Sequence, residues 1–141
     1  MTVRRRHFLI LLGALLTPLP AFAKKNQPRG GDVKSFLYGF GYESPETRQR
    51  NQKFGDDAEE SAAVFIIAKD EAAALAWGHE ISEWFVRKLF GNPGESWTKG
   101  RFASWIEHDA AKISAAAKTK PPLPTVHAGE YPNFDQMRPR R

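Results

Sequence analysis

The sequence HEISE at residues 79–83 contains side chains that can bind a metal ion and activate water. Zinc-dependent hydrolases carry two histidines at positions i and i+4 of a helix, with a glutamate beside the first. Here Glu83 stands where the second histidine would be, and residues at i and i+4 share one helix face. His79 and Glu83 are therefore candidate metal ligands, and Glu80 is the candidate base for a bound water.

The pattern around this segment favours a plainer interpretation, a helix face in contact with water. On a helical wheel Trp77 and Phe85 lie within a broad apolar arc. His79, Glu80 and Glu83 lie together on the opposite side. A catalytic metal also needs a third protein ligand in a partly closed site. The solvated face is the preferred interpretation, and metal binding is the alternative.

Aromatic residues alternate along one short segment. The strict alternation predicts a β-strand over Lys34–Tyr42. The alternating set is Phe36, Tyr38, Phe40 and Tyr42. We interpret this set as the inner face of a small sheet, because such a sheet needs one face packed against helices. The alternative is a stacking platform for a ligand, with Tyr38 and Tyr42 as the candidate ligand-binding residues because their hydroxyls need polar partners.

Asp109 is the remaining candidate ligand-binding residue. A second helix is predicted over Arg101–Lys118, and Asp109 projects into its apolar stripe, one turn from both Trp105 and Ile113. A buried carboxylate must be paired, or its pKa rises. We favour an edge position that reaches water, with a structural ion pair and a functional acid as alternatives.

The other elements complete a small domain. The continuous apolar run Ala62–Ala68 predicts an inner strand. Asp70 is a suitable N-cap for a helix that ends near Phe90, before a Gly-Asn-Pro sequence. The polar stretch 43–60 is expected to be a mobile loop with one or two helical turns. The predicted fold class is α+β, with a small antiparallel sheet of two or three strands covered by two amphipathic helices.

The four tryptophans are mainly interpreted as core residues, because each indole buries a large apolar area in a domain without disulfides. They are Trp77, Trp84, Trp97 and Trp105.

Residues 1–23 have the three-part order of an export signal. Three arginines precede the apolar run FLILLGALL, and Ala-Phe-Ala precedes the expected cleavage point. The run is too short to span a bilayer, so no stable membrane span is expected after processing. The segment 5–9 also fits the twin-arginine pattern, but the strongly apolar run favours the general secretory route. We expect a periplasmic or secreted protein.

The composition of the remaining chain predicts its division into segments. Residues 24–33 are predicted to form a flexible leader and residues 34–118 the α+β domain. Residues 119–141 are predicted to form a proline-rich basic tail that is extended or disordered, with a short edge strand at Thr125–His127 as the alternative. The net charge of +5 comes from the two ends. Residues 24–117 carry 13 basic and 14 acidic groups, a net charge of −1. A nucleic-acid binder carries its positive charge on the folded surface, so nucleic acid is not an expected partner.

No complete catalytic constellation is present. The chain has no cysteine, which removes thiol catalysis and disulfides, and it has no glycine-rich phosphate loop, so no cofactor is predicted. The leading hypothesis is an exported non-catalytic module that binds an unknown envelope or extracellular protein. One alternative is a small metal-dependent hydrolase or metal-binding protein that uses His79, Glu80 and Glu83. The other alternative is a carbohydrate binder that uses exposed aromatic side chains.

Overall fold

A computed structural model describes residues 32–137. The predicted signal peptide, nearly all of the predicted leader and the last four residues lie outside the described residues. The strands are β1 (Lys34–Tyr42), β2 (Glu60–Ala68), β3 (Ser104–Ile106) and β4 (Thr125–His127). The helices are α1 (Pro45–Phe54), α2 (Glu71–Phe90) and α3 (Ala110–Ala117). Short 3₁₀ turns cover Trp97–Lys99 and Phe134–Met137.

The four strands form one sheet in the order β3-β1-β2-β4. Strand β1 is antiparallel to both of its neighbours, and β4 is parallel to β2. The predicted α+β class is confirmed. The finer prediction is wrong, because the sheet has four strands and is mixed, and three helices accompany it. Within residues 32–137, no helix combines the length and apolar character that a membrane crossing needs.

The aromatic set of β1 forms the inner face of the sheet, as predicted. Tyr38, Phe40 and Tyr42 are completely buried, and Phe36 packs at the margin of the same core. The Phe40 ring meets the edge of the Phe85 ring of α2 at a centroid distance of 5.3 Å. Since β1 and β2 pair along their full lengths, the inward residues of β2 extend this face. The core therefore lies between α2 and the inner face of β1 and β2.

Helix α2 begins and ends as its sequence predicts. The Asp70 carboxylate accepts a hydrogen bond of 2.8 Å from the backbone N–H of Ala73. Gly91 ends the helix in the left-handed conformation with φ +59°, where glycine meets no steric penalty. The buried residues Ala74, Gly78, Ile81 and Phe85 recur at spacings of four, three and four, which is one helix face.

The stretch 43–60 contains a full helix in place of the expected loop. Ser44 caps α1, with its hydroxyl accepting from the backbone N–H of Thr47 at 3.2 Å. The Asn51 side chain bonds both backbone groups of Ala58, donating to the carbonyl at 2.9 Å and accepting from the N–H at 3.1 Å. These local side-chain bonds stabilise α1 in the absence of an apolar stripe, and hydrophobic periodicity therefore does not reveal the helix.

The helix predicted over Arg101–Lys118 is wrong in its first half. That half forms β3, and the helix itself, α3, begins only after Asp109. The positions of Trp105 and Ile106 fit both the apolar stripe of a helix and the alternating pattern of a strand. The segment forms a strand because the edge of β1 offers hydrogen-bond partners to its backbone groups. Trp105 lies opposite Gly39, and Ile106 lies opposite Tyr38.

The disorder expected for residues 119–141 is wrong for residues 119–137. The edge strand considered at Thr125–His127 is present as β4, and Val126 and Met137 are buried in the core cluster. The prolines do not prevent this pairing, because Pro124 contributes its carbonyl, which accepts from the backbone N–H of Phe65 at 3.0 Å.

Gly78 sets the distance between α2 and the sheet. A Cβ at this position would overlap the Tyr38 ring. Alanine normally stabilises a helix interior over glycine by about 1 kcal/mol. Here the overlap costs about 1–3 kcal/mol. We therefore expect Gly78→Ala to lower the free energy of unfolding, measured by urea denaturation.

The matched control is Gly94→Ala, at a surface turn. The nearest atom to its added Cβ is the flexible side-chain oxygen of Asn92, at 3.3 Å. This variant is expected to stay within about 0.5 kcal/mol of the wild type. A Gly78→Ala protein as stable as the wild type would contradict the close-contact argument.

Candidate functional site

A series of hydrogen-bonded side chains leads from the protein surface into the core beside α2. His79 Nε2 lies 2.9 Å from Ser104 Oγ, and the Tyr38 hydroxyl lies 2.7 Å from Ser82 Oγ. The two pairs lie side by side, because the Tyr38 and His79 rings meet edge to face at a centroid distance of 6.3 Å. We call His79, Ser104, Tyr38 and Ser82 the hydroxyl chain. It brings together two sequence-predicted residues, His79 and Tyr38, with two serines that the sequence analysis did not identify.

The direction of donation at the inner end of the hydroxyl chain follows from Ser82. The Ser82 hydroxyl donates to the carbonyl of Gly78 at 3.0 Å, so its oxygen is left to accept from the Tyr38 hydroxyl. The Tyr38 hydroxyl thereby has a hydrogen-bond partner inside the core, as a buried phenol requires. The outer pair is formed by His79 Nε2 and Ser104 Oγ at 2.9 Å.

The two predicted metal ligands point to different partners. The Glu83 carboxylate accepts from the Ser96 hydroxyl at 3.0 Å and from the backbone N–H groups of Trp97 and Thr98 at 3.3 and 3.2 Å. It thereby caps the 3₁₀ turn, while His79 bonds Ser104. Within residues 32–137, no three His, Cys, Asp or Glu side chains are grouped as metal ligands would be. Glu80 is exposed on the helix surface.

Tyr42 belongs to a polar cluster centred on Glu60. The Tyr42 hydroxyl donates to one Glu60 carboxylate oxygen at 3.1 Å. The hydroxyls of Ser44 and Thr47 donate to the other oxygen, each at 2.5 Å. Because Tyr42, Ser44 and Thr47 are almost fully buried, a ligand cannot reach these hydroxyls from solvent. The cluster fixes the start of α1 against β2.

Asp109 has a local role at the start of α3. Its carboxylate accepts from the backbone N–H groups of Ala111 and Lys112 at 2.8 and 3.2 Å. The residue is exposed, so its charge remains in contact with water. Asp109 seemed to lie within an apolar stripe only because the helix was predicted to start earlier than it does.

The surface of α2 carries a cluster of aromatic side chains that reach across to the C-terminal segment. The Tyr131 ring lies 4.9 Å from the Trp77 ring and 5.8 Å from the Trp84 ring, centroid to centroid. The Arg87 guanidinium lies 5.4 Å from the centroid of Trp84. Trp84 and Tyr131 are 46% and 47% exposed. We call Trp77, Trp84, Tyr131 and Arg87 the aromatic patch.

The tryptophans therefore divide between core and surface. Trp97 is buried as predicted, and its indole N–H donates to the Gly41 carbonyl at 2.8 Å. Trp84 and Trp105 are exposed, which differs from the predicted core placement. The sequence analysis does not predict the aromatic patch because it expects residues 119–141, which include Tyr131, to be disordered.

Comparison with known proteins yields no matching family model, no matching curated protein and no matching solved structure. What the described residues define is a small α+β domain with a four-stranded mixed sheet.

The phenol of Tyr38 provides a test of the hydroxyl chain. Burial raises its pKa from 10.0 to about 12, against the opposing effect of hydrogen bonds with Ser82 and Ser104. The raised pKa means that the folded state holds the proton more tightly than the unfolded state. The protonated Tyr38 phenol therefore contributes its full stabilisation of the folded state below pH 10. This contribution is lost as the pH rises from 10 to 12, at about 1.4 kcal/mol per pH unit.

Urea denaturation at a series of alkaline pH values measures this loss. Tyr38→Phe has no ionisable group at this position, so its stability should fall less steeply above pH 10 than that of the wild type. Tyr131→Phe is the matched control and should keep the wild-type slope, because Tyr131 lies outside the hydroxyl chain. Equal slopes for the wild type and Tyr38→Phe would contradict the buried, hydrogen-bonded phenol.

Proposed function

We propose that this chain is an exported, non-catalytic module that binds a protein of the cell envelope or the extracellular space through the aromatic patch. The observation that carries the proposal is the exposure of Trp84 and Tyr131 side by side, with Arg87 against the Trp84 ring. Tryptophan, tyrosine and arginine are the residue types that contribute most binding energy at protein interfaces.

The aromatic patch is held in place before any partner arrives. The Trp77 indole N–H donates to the backbone carbonyl of Glu130 at 2.8 Å, which ties α2 to the segment that carries Tyr131. The Tyr131 ring also contacts Phe134 at a centroid distance of 6.4 Å. Side chains that are already ordered lose little conformational entropy on binding, so more of the contact energy contributes to affinity.

The charges around the aromatic patch are of both signs. Glu80 and Lys88 are exposed on α2, and Arg87 is paired with Glu83 at 3.7 Å. No strong field of one sign would steer a highly charged partner toward this surface. We therefore propose a partner that contributes an apolar, weakly charged surface, with an affinity that depends little on salt concentration.

Two further observations support the proposal. The Glu83 carboxylate is hydrogen-bonded to the 3₁₀ turn and the Tyr38 hydroxyl to Ser82, so both of these candidate site residues have structural partners. The signal-like order of residues 1–23 supports export by the general secretory route, which would place the domain in the periplasm or outside the cell.

A photo-reactive amino acid at position 84 or 131 tests the proposal in envelope extracts of the source cells. We expect both positions to cross-link the same protein, which is then purified and measured against the full chain. Trp84→Ala should weaken that binding about 30-fold or more, the loss of about 2 kcal/mol typical of an interface hot spot.

Position 54 provides the matched control. Phe54 is 64% exposed and lies on α1, outside the aromatic patch. A photo-reactive residue there should not cross-link the same protein, and Phe54→Ala should leave the affinity unchanged. Cross-linking that is equally strong from position 54, or binding that Trp84→Ala does not weaken, would refute the proposed interface.

A further inference from the structure

The outer face of the sheet, which points away from α2, carries a pocket of about 350 Å³ beside Trp105. Ala63 of β2 and Trp105 of β3 line it on the sheet side, and Lys120 and Leu123 line it from the connection to β4. Trp105 is 41% exposed. The volume falls within the range of pockets that bind small ligands.

Gly39 explains why the Trp105 ring lies close to the sheet. The two residues face each other across the β1–β3 pairing, and Gly39 points outward because Tyr38 and Phe40 point inward. A Cβ at Gly39 would lie only 2.6 Å from Cε2 and Cζ2 of Trp105. Glycine therefore lets the indole rest against the backbone of β1, where part of its surface stays open to the pocket.

Polar side chains around the pocket are available for a ligand. Ser61, Lys120 and Gln136 line it, and their side chains form no hydrogen bond or ion pair with other described residues. The Thr119 hydroxyl is occupied, since it donates to the carbonyl of Ala116 at 3.0 Å. The pocket thus combines one exposed aromatic ring, one ammonium group, and the hydroxyl and amide of two neutral side chains.

This combination favours one ligand class. A sugar ring has an apolar face that packs on an indole and a rim of hydroxyls that hydrogen-bond Ser61 and Gln136. A wholly apolar ligand would bury the polar side chains without partners, which is costly. The Lys120 ammonium selects for a negative charge. We propose that the pocket binds an anionic saccharide, with a sugar ring on Trp105 and a carboxylate paired with Lys120.

Saturation-transfer NMR and calorimetry on the full chain test this proposal. The probes are a disaccharide that contains N-acetylmuramic acid, a uronic-acid trisaccharide, and a neutral N-acetylglucosamine trisaccharide. We expect a carboxylated probe to bind with a dissociation constant of about 0.1–1 mM and the neutral probe to bind about tenfold more weakly. Preference for the muramic-acid probe would indicate a cell-wall source, and preference for the uronate probe an acidic polysaccharide.

Two variants locate the binding. Trp105→Ala should lower the affinity for the carboxylated probe at least about tenfold. Lys120→Gln should remove the preference for the carboxylated over the neutral probe. Because Lys120 is exposed, this second variant keeps the test decisive if Trp105→Ala fails to fold.

Trp84→Ala is the control that separates this pocket from the aromatic patch, and it should bind saccharide like the wild type. No binding of any probe at about 10 mM would overturn the proposal. The same holds for binding that is unaffected by both pocket variants, or binding that Trp84→Ala abolishes. The protein-binding proposal is judged separately, by cross-linking at positions 84 and 131.

Discussion

The contact between Gly78 and Tyr38 determines how the main helix sits on the sheet. Without a Cβ at position 78, the backbone of α2 approaches the Tyr38 ring directly. That approach brings the Tyr38 hydroxyl to Ser82, one turn further along α2, at 2.7 Å. A steric contact and a hydrogen bond one turn apart fix both the rotation of α2 and its position along its axis. Once Gly78 faces the sheet, Trp84 must face solvent.

The same strand organises the two faces of the sheet by alternating large and small residues. The inward side chains of β1 are aromatic and fill the core, whereas Gly39 and Gly41 point outward and leave room there. The space above Gly39 is occupied by Trp105, and the pocket lies beside that ring. The glycines of β1 are therefore explained by what packs on them, and the outer face of the sheet is shaped by their small size.

The sequence predicted the elements whose signals are local. Strand β1 follows from alternation, β2 from a continuous apolar run, and α2 from its capping residues Asp70 and Gly91. Strand β3 was missed because Trp105 fits a helical stripe as well as a strand, and the free edge of β1 decides between them. Edge pairing of this kind joins distant parts of the chain and leaves little trace in the local pattern.

The candidate site residues likewise include some that local patterns predict and some that depend on pairing between distant segments. Tyr38 is a predicted ligand-binding candidate and His79 a predicted metal ligand, but Ser104, the hydrogen-bond partner of His79, lies on the missed strand β3.

The exposed tryptophans are held in fixed positions, which bears on what they do. The domain buries Trp97 and four further aromatic side chains, so its interior already accepts rings of this size. Trp84 nevertheless stays at the surface, where Tyr131 and Arg87 contact its ring, and Trp105 stays against Gly39. The packed part of each indole contributes to the stability of the domain, and the exposed part is the area to which each proposal assigns a partner. Because Trp84 lies on α2 while Trp105 lies on the opposite face of the sheet, the proposed protein interface and the proposed saccharide pocket do not overlap.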